Sequence, residues 1–303
     1  MSSIKVLVTG AAGQYGGYIM NEFSKYFKVL GTYNTNKTNL LKDVNYVQLD
    51  ITDFENTRKV IEEFEPDFLI HTASFSNPQF AELAPPKLVY LTNVLATENI
   101  AKVCETTDTR LIYISTDLVY AGYRGSVLKE DAKLIPASLY AETKLVAEQK
   151  IKENSSNYTI LRNSLMYGIM HEINQSAFNK MYYSLKAGKS VRLFYDQFRS
   201  PLAFFDGARL LKELIQTIFC DNNIFENEIV NFGGIERISR AEMGNILCEE
   251  AGFDKSLLDF ISLAEINDLP QIADVSINID KLLNIGLIPL DVRSSVKKIL
   301  KNI

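Results

Sequence analysis

Tyr140 and Lys144 stand four residues apart in Tyr140-Ala-Glu-Thr-Lys144, and a second polar cluster, Ser115-Thr116-Asp117, closes an apolar run upstream. On a helix, four-residue spacing puts a phenol and an ammonium on one face. A cation beside a phenol favours the phenolate, so Lys144 is expected to lower the Tyr140 pKa from about 10 and let the hydroxyl exchange a proton near neutrality. That suits a general acid acting on a carbonyl as it is reduced. Tyr and Lys at this spacing also meet by chance on surface helices, so the reading depends on the elements around them.

Leu111-Ile-Tyr-Ile-Ser115 is apolar, β-branched and aromatic, which predicts a strand covered on both faces. Its polar end would emerge at the carboxyl edge of a parallel sheet, where ligands bind, delivering Thr116 and Asp117 to a site. From Pro136 onward, Ser138 is a candidate cap, and the Ala-, Glu-, Lys- and Leu-rich stretch from Tyr140 to Ile151 predicts the helix.

A second constellation opens the chain. Ile4 to Thr9 predicts a strand, and Gly10-Ala-Ala-Gly13-Gln14-Tyr15-Gly16 follows it directly before a helical run from Tyr18 to Tyr26. Glycines between strand and helix permit a tight turn and close backbone approach, with the helix N-terminus facing a pyrophosphate. Lys28 to Tyr33 predicts the second strand, whose end in an NAD site carries an acid for the ribose 2′-hydroxyl. Here Asn34-Thr-Asn-Lys37 carries none, which favours NADP over NAD, with Lys37 either the partner of the 2′-phosphate or an ordinary loop cation.

Further strands are expected over 44–49, 66–71, 158–162 and 228–232. Helices are expected over 54–64 with Asp53 as cap, 87–104, 239–251 with a Ser239/Glu242 capping box, and 292–303. The loop from Phe75 to Pro86, with Pro78 and Pro85-Pro86, should hold no regular element. Alternation of strands and helices predicts an α/β fold, a doubly wound parallel sheet with a smaller C-terminal substrate lobe. The expected division is 1–168 for the dinucleotide domain and 169–303 for the lobe, with about 203–232 returning to the sheet.

With 303 residues, 47% of them hydrophobic, the chain can bury a large core. A net charge of -5 offers no basic field for nucleic acid. Cys104, Cys220 and Cys248 read as free thiols of a reducing compartment, and two histidines, His71 and His171, are too few and too scattered for a metal centre. His71 reads as packed in a strand end. Without a leader-like N-terminus or a membrane-length apolar window, a cytoplasmic protein is expected. Its oligomeric state stays open, a homodimer included.

Five segments in order, Thr9 to Gly16, Tyr113 to Tyr120, Pro136 to Lys144, Leu161 to Gly168 and Asp196 to Pro201, resemble the extended short-chain dehydrogenases/reductases, most closely the dTDP-4-dehydrorhamnose reductase type. The resemblance implies a Rossmann fold and NAD(P)-dependent reduction of a nucleotide-linked 4-keto-6-deoxy sugar. It implies Thr116, Tyr140 and Lys144 as catalytic residues. Cofactor contacts would come from Gly10, Gly13, Gln14, Tyr15, Gly16, Asn34, Lys37, Asp50, Ile51, Thr72, Ala73, Ser74 and Asn93, with Tyr140 and Lys144. Substrate contacts would come from Asp117, Leu165, Gln197 and Pro201.

The chain departs from that pattern at several positions. Leu118 replaces the acid of the superfamily's dehydratases, Leu165 an aromatic group, Ala141 and Arg199 glycines, and Gln271-Ile272 an Arg-Pro pair. Two other readings remain beside the reductase. One is a sugar-nucleotide epimerase. The other is a non-catalytic NADP-binding subunit, since the regulatory β subunit of methionine adenosyltransferase resembles the same reductase type.

Overall fold

The computed structural model describes residues 3–37, 39–122, 126–169, 176–266 and 272–303; His171 and Gln271 lie outside them. The apolar runs form strands β1 (Lys5–Thr9), β2 (Lys28–Tyr33), β3 (Asn45–Gln48), β4 (Phe68–His71), β5 (Arg110–Thr116), β6 (Tyr158–Asn163) and β7 (Glu228–Phe232). They make one sheet of order β7-β6-β5-β4-β1-β2-β3. β1 pairs in parallel with both β2 and β4, and β4 in parallel with β5. The strand order therefore reverses at β1, which makes the carboxyl ends of β1 and β4 the switch point where such sheets hold ligands. Every residue of β4 and of β6 is buried, as strands covered on both faces require.

The helices beside these strands are α1 (Gln14–Phe23), α2 (Phe54–Phe64), α3 (Pro78–Leu83), α4 (Pro86–Tyr90), α5 (Ala96–Thr106) and α6 (Leu139–Asn154). Asp53 accepts from the Asn56 N–H at the start of α2, and Ser138 from the Ala141 N–H at the start of α6. Each satisfies a donor the helix cannot use itself. Three expectations are corrected. The Phe75 to Pro86 stretch does hold helix, because Pro78 occupies the first turn of α3, where no N–H is needed, and Asn77 caps it through Gln79 and Phe80. The helix expected over 87–104 is continuous in path but widens into a π-turn at Leu91–Leu95 between α4 and α5. α1 begins four residues earlier than the expected Tyr18, directly on the glycine turn.

Contacts divide the chain into two compact units: Met1–Val119, Pro136–Arg162 and Leu211–Val230 form the first, and Tyr120–Ile135, Asn163–Leu210 and Asn231–Ile303 the second. The first packs Leu7, Leu69, Leu111 and Ile160 of neighbouring strands against Ile61, Ile100, Cys104, Ala147 and Ile151 of the helices. In the second, α7 (Ala177–Lys186), α9 (Arg240–Ala251) and α10 (Val292–Leu300) close on Tyr167, Phe178, Leu247 and Val296. The Ser239/Glu242 capping box opens α9. Helix α8 (Phe204–Cys220) belongs to the second unit up to Leu210 and to the first from Leu211.

Among the described residues, Cys104, Cys220 and Cys248 are free thiols, no cluster of acids, cysteines and histidines is placed to hold a metal, and no helix is long and apolar enough to cross a membrane. Leu111 is fully buried in the first core. Leu111→Ala is expected to cost about 2–5 kcal/mol of stability, read from the denaturant midpoint at unchanged slope.

Candidate active site

β1 ends at Thr9, and the chain turns at once through Gly10, whose φ of +69° an L side chain rarely adopts. A Cβ there would lie 2.8 Å from the Ala73 backbone, and one at Gly16 would lie 2.3 Å from the Gly10 carbonyl oxygen. Glycine is therefore required twice: for the turn itself, and for packing α1 against it. The turn is pinned to β2 by Ala11 N–H on the Thr32 carbonyl at 2.8 Å and closed by Gly13 N–H on the Gly10 carbonyl at 2.9 Å.

Helix α1 then starts on Gly13 with no side-chain cap and no acid in its first turn, through Gln14, Tyr15 and Gly16. A bare backbone cradle at a positive helix end fits a diphosphate, so the residues present agree with a dinucleotide.

Thr72 hydroxyl donates to the Thr9 carbonyl at 2.6 Å, which locks the end of β4 to that of β1 and sets Ala73 beside the glycine turn. The Asp50 carboxylate accepts from the Thr52 hydroxyl and N–H, and these bonds, with Asn34 at the end of β2 adding to them, hold its pKa below the usual carboxylate range. Ile51 beside it is buried. Lys37 is exposed, with its ammonium 5.5 Å from the Tyr33 ring centre.

His71 is buried in β4, its Nδ1 2.7 Å from Thr9 Oγ1 and its Nε2 3.0 Å from Thr97 Oγ1. Thr97 already donates to the Asn93 carbonyl, so the ring donates from Nε2 and accepts at Nδ1. Burial, with the Lys144 charge adding to it, pushes its pKa down to about 3, which makes it a neutral structural ring. Asn93 lies in the π-turn, where its Oδ1 accepts from Phe75 N–H at 2.8 Å and its Nδ2 donates to Thr143 Oγ1 at 3.0 Å. It thus ties the loop after β4 to the helix that carries Tyr140.

The structure brings Thr116, Asp117, Tyr140 and Lys144 together at the carboxyl end of β5. Tyr140 is 8% exposed and packed with Ala81 and Val89, with Thr116 close enough to bear on its phenol. Lys144 is 2% exposed, its ammonium 4.1 Å from the Tyr113 ring centre.

Here the expected electrostatics are corrected. Burial raises the Tyr140 pKa instead of lowering it, Thr116 opposes that rise, and the Asp117 charge adds to it. Burial also pushes Lys144 down to about 7, with Glu148 opposing. The Tyr113 ring favours the cation, yet loss of water outweighs it. An amine that titrates near neutrality is a weak source of charge for its neighbour. Spacing cannot reveal how dry the shared face is.

Spacing also missed Glu148 and Arg162. They form a buried ion pair one turn beyond Lys144, and a carboxylate at i+8 from Tyr140 on the same face was the available signal. Asn163, last in β6, is buried with neither amide atom hydrogen-bonded among the described residues.

In the second unit, the Leu165 carbonyl accepts from Leu202 N–H at 2.9 Å, with Pro201 buried next to it, and Gln197 accepts from Arg240 at 3.3 Å. Arg199 is buried and donates to the Phe198 and Ile272 carbonyls.

A family model described as the RmlD substrate binding domain matches residues 4–303. Methionine adenosyltransferase 2 subunit beta of Xenopus laevis is 28% identical over 291 residues, 94% of this chain and 83% of that protein. The dTDP-4-dehydrorhamnose reductase of Bacillus anthracis, solved with NADP, superposes with a TM-score of 0.84 at 22% identity over the whole of both chains. The UDP-glucose 4-epimerase of Thermotoga maritima, solved with UDP-glucose, gives 0.85 at 18% identity over 98% of each. At these identities the two solved structures establish a shared fold.

The folded Lys144 pKa lies below its ordinary 10.5, so the unfolded chain holds the extra proton between about pH 7 and 10. Wild-type stability relative to Lys144→Met should therefore rise with pH through that window, by roughly 1.4 kcal/mol per unit, with the full penalty present below it. Denaturant midpoints of both proteins from pH 6 to 10 test this; a constant difference would contradict it.

Proposed function

The chain belongs to the RmlD substrate binding domain family, and on that premise we propose that it is a reductase of the extended short-chain type that reduces the keto group of a nucleotide-linked 4-keto-6-deoxy sugar with NADPH. The observation that carries this reading is the buried Tyr140 phenol beside Thr116 at the sheet's carboxyl edge, with Lys144 one turn on.

When bound, the dihydronicotinamide supplies the hydride. The turn of Gly10, Gly13 and Gly16, with Gln14 and Tyr15, would hold its diphosphate, and Asp50, Ile51, Thr72, Ala73 and Ser74 would border the remainder. Asn34 and Lys37 leave room and charge for a 2′-phosphate where an acid would repel it.

Tyr140 then delivers a proton from its hydroxyl to the ketone oxygen as negative charge develops there, and Thr116 holds that hydroxyl in line. A phenol whose pKa is raised by burial stays protonated through neutral pH, which suits the acid role in reduction better than the base role in oxidation. Solvent returns the proton after turnover. Lys144 would hold the nicotinamide ribose, and Asp117 would meet the sugar of the substrate.

The test is NADPH consumption with a dTDP-4-keto-6-deoxyhexose. Tyr140→Phe should lower the rate at least about 100-fold with NADPH binding kept; equal rates would remove Tyr140 from the chemistry. Lys37→Ala should weaken NADPH about five-fold, roughly 1 kcal/mol, and leave NADH unchanged, by titration calorimetry.

The methionine adenosyltransferase subunit relative favours a second reading, a dinucleotide-binding regulatory subunit. NADPH binding without reduction of any keto-sugar would select it.

A further inference from the structure

A buried ion pair stands behind the Tyr140–Lys144 face, and the mechanism above leaves it unused. Tyr140, Lys144 and Glu148 follow one another at four-residue steps on α6, so the carboxylate is the next side chain along the reactive stripe. Glu148 Oε1 accepts from Ser115 Oγ on β5 at 2.5 Å and from Arg162 Nε on β6 at 3.1 Å, while Oε2 accepts from the second Arg162 nitrogen at 2.7 Å. Both charged side chains are 1% exposed.

Burying such a pair seldom raises stability over an apolar pair of the same volume, because the loss of hydration offsets the attraction. Its cost is better explained by what it does to a neighbour.

That neighbour is Lys144. The titratable groups facing it are His71 from β4, Tyr113 from β5, and Tyr140 and Glu148 from its own helix. The π-turn and α5 present the uncharged Asn93 and Thr97, Glu82 of α3 bonds Leu139 N–H at the start of α6, and Asp117 acts on Tyr140. His71 is neutral and Tyr113 is a buried phenol, so the negative charge that favours an ammonium comes from Glu148.

We propose that Glu148, clamped by Ser115 and Arg162, is a positioning residue that sets the charge of Lys144, so the site receives a cation whose protonation is controlled from β6. The fork of Arg162 fixes where the carboxylate sits, and the Ser115 hydroxyl fixes its lone pair from the strand that also ends in Thr116. Catalytic relevance rests on the acid–base reading of Tyr140 and Lys144, but the lysine's protonation is measurable with neither substrate nor cofactor.

The experiment follows the full chain labelled with 13C at the lysine ε-carbons by NMR across pH, with the Lys144 signal assigned by its loss in Lys144→Met. In Glu148→Gln the midpoint should fall by about one pH unit or more, as for loss of a charge at 4–6 Å. An unchanged midpoint in folded Glu148→Gln overturns the proposal.

Glu148→Gln takes from the buried Arg162 its carboxylate partner, so Glu148→Gln/Arg162→Met, which removes both charges, is the second arm. Its midpoint should lie below wild type and above that of the single variant, since it loses the attraction and the opposing repulsion together. A midpoint at or above wild type overturns the proposal. A shifted midpoint in a protein that reduces no keto-sugar would leave this inference standing and defeat the functional reading alone.

Discussion

Removal of water from one face of α6 governs the site. Tyr140, Lys144 and Glu148 are all buried along that face, against β5 and the end of β4. In so dry a strip, charge is expensive unless it is matched. The phenol keeps its proton, the amine gives up part of its hold on one, and the carboxylate is stabilised by a guanidinium fork from β6. Burial sets the first two states, with Glu148 opposing it at the amine, and Thr116 and Ser115 set the row against a single strand. That strand lies next to β4 in the sheet, so the acid–base row and the glycine turn are referred to one rigid frame.

The frame depends on backbone contacts too close for side chains. At Gly10 and Gly16 the added carbon would strike backbone atoms, so β1, α1 and the start of the loop after β4 can approach only as glycine permits. Thr9 connects the two halves of this arrangement, bonding His71 through its hydroxyl and Thr72 through its carbonyl. A histidine at the end of β4 thus serves as a rigid spacer, and its low pKa reflects that use.

Much of this was legible in the sequence. Period and composition located all seven strands of the main sheet within a residue or two, because buried strands leave unbroken apolar runs. Asp53, Ser138 and the Ser239/Glu242 box were legible because capping is local. What failed was whatever depends on distant neighbours. Pro78 and Pro86 were read as breakers, although at a helix's first turn proline starts the element. The direction of the Tyr140 shift turned on burial, which a spacing of four cannot report. Glu148 and Arg162 meet only once α6 has folded onto β6, and the π-turn had no marker that composition reveals.

That turn constrains how the chain can vary. A π-turn carries one residue more than the same length of α-helix needs, and each residue of helix advances its side chain by about 100°. The surplus between Leu91 and Leu95 places the Asn93 amide between the Phe75 loop and Thr143, and it sets the phase at which Ile100 and Cys104 reach the core. Substitutions in this stretch act one side chain at a time. A gain or loss of a single residue would turn the whole of α5 about its axis, so the segment is open to changes of identity and closed to changes of length.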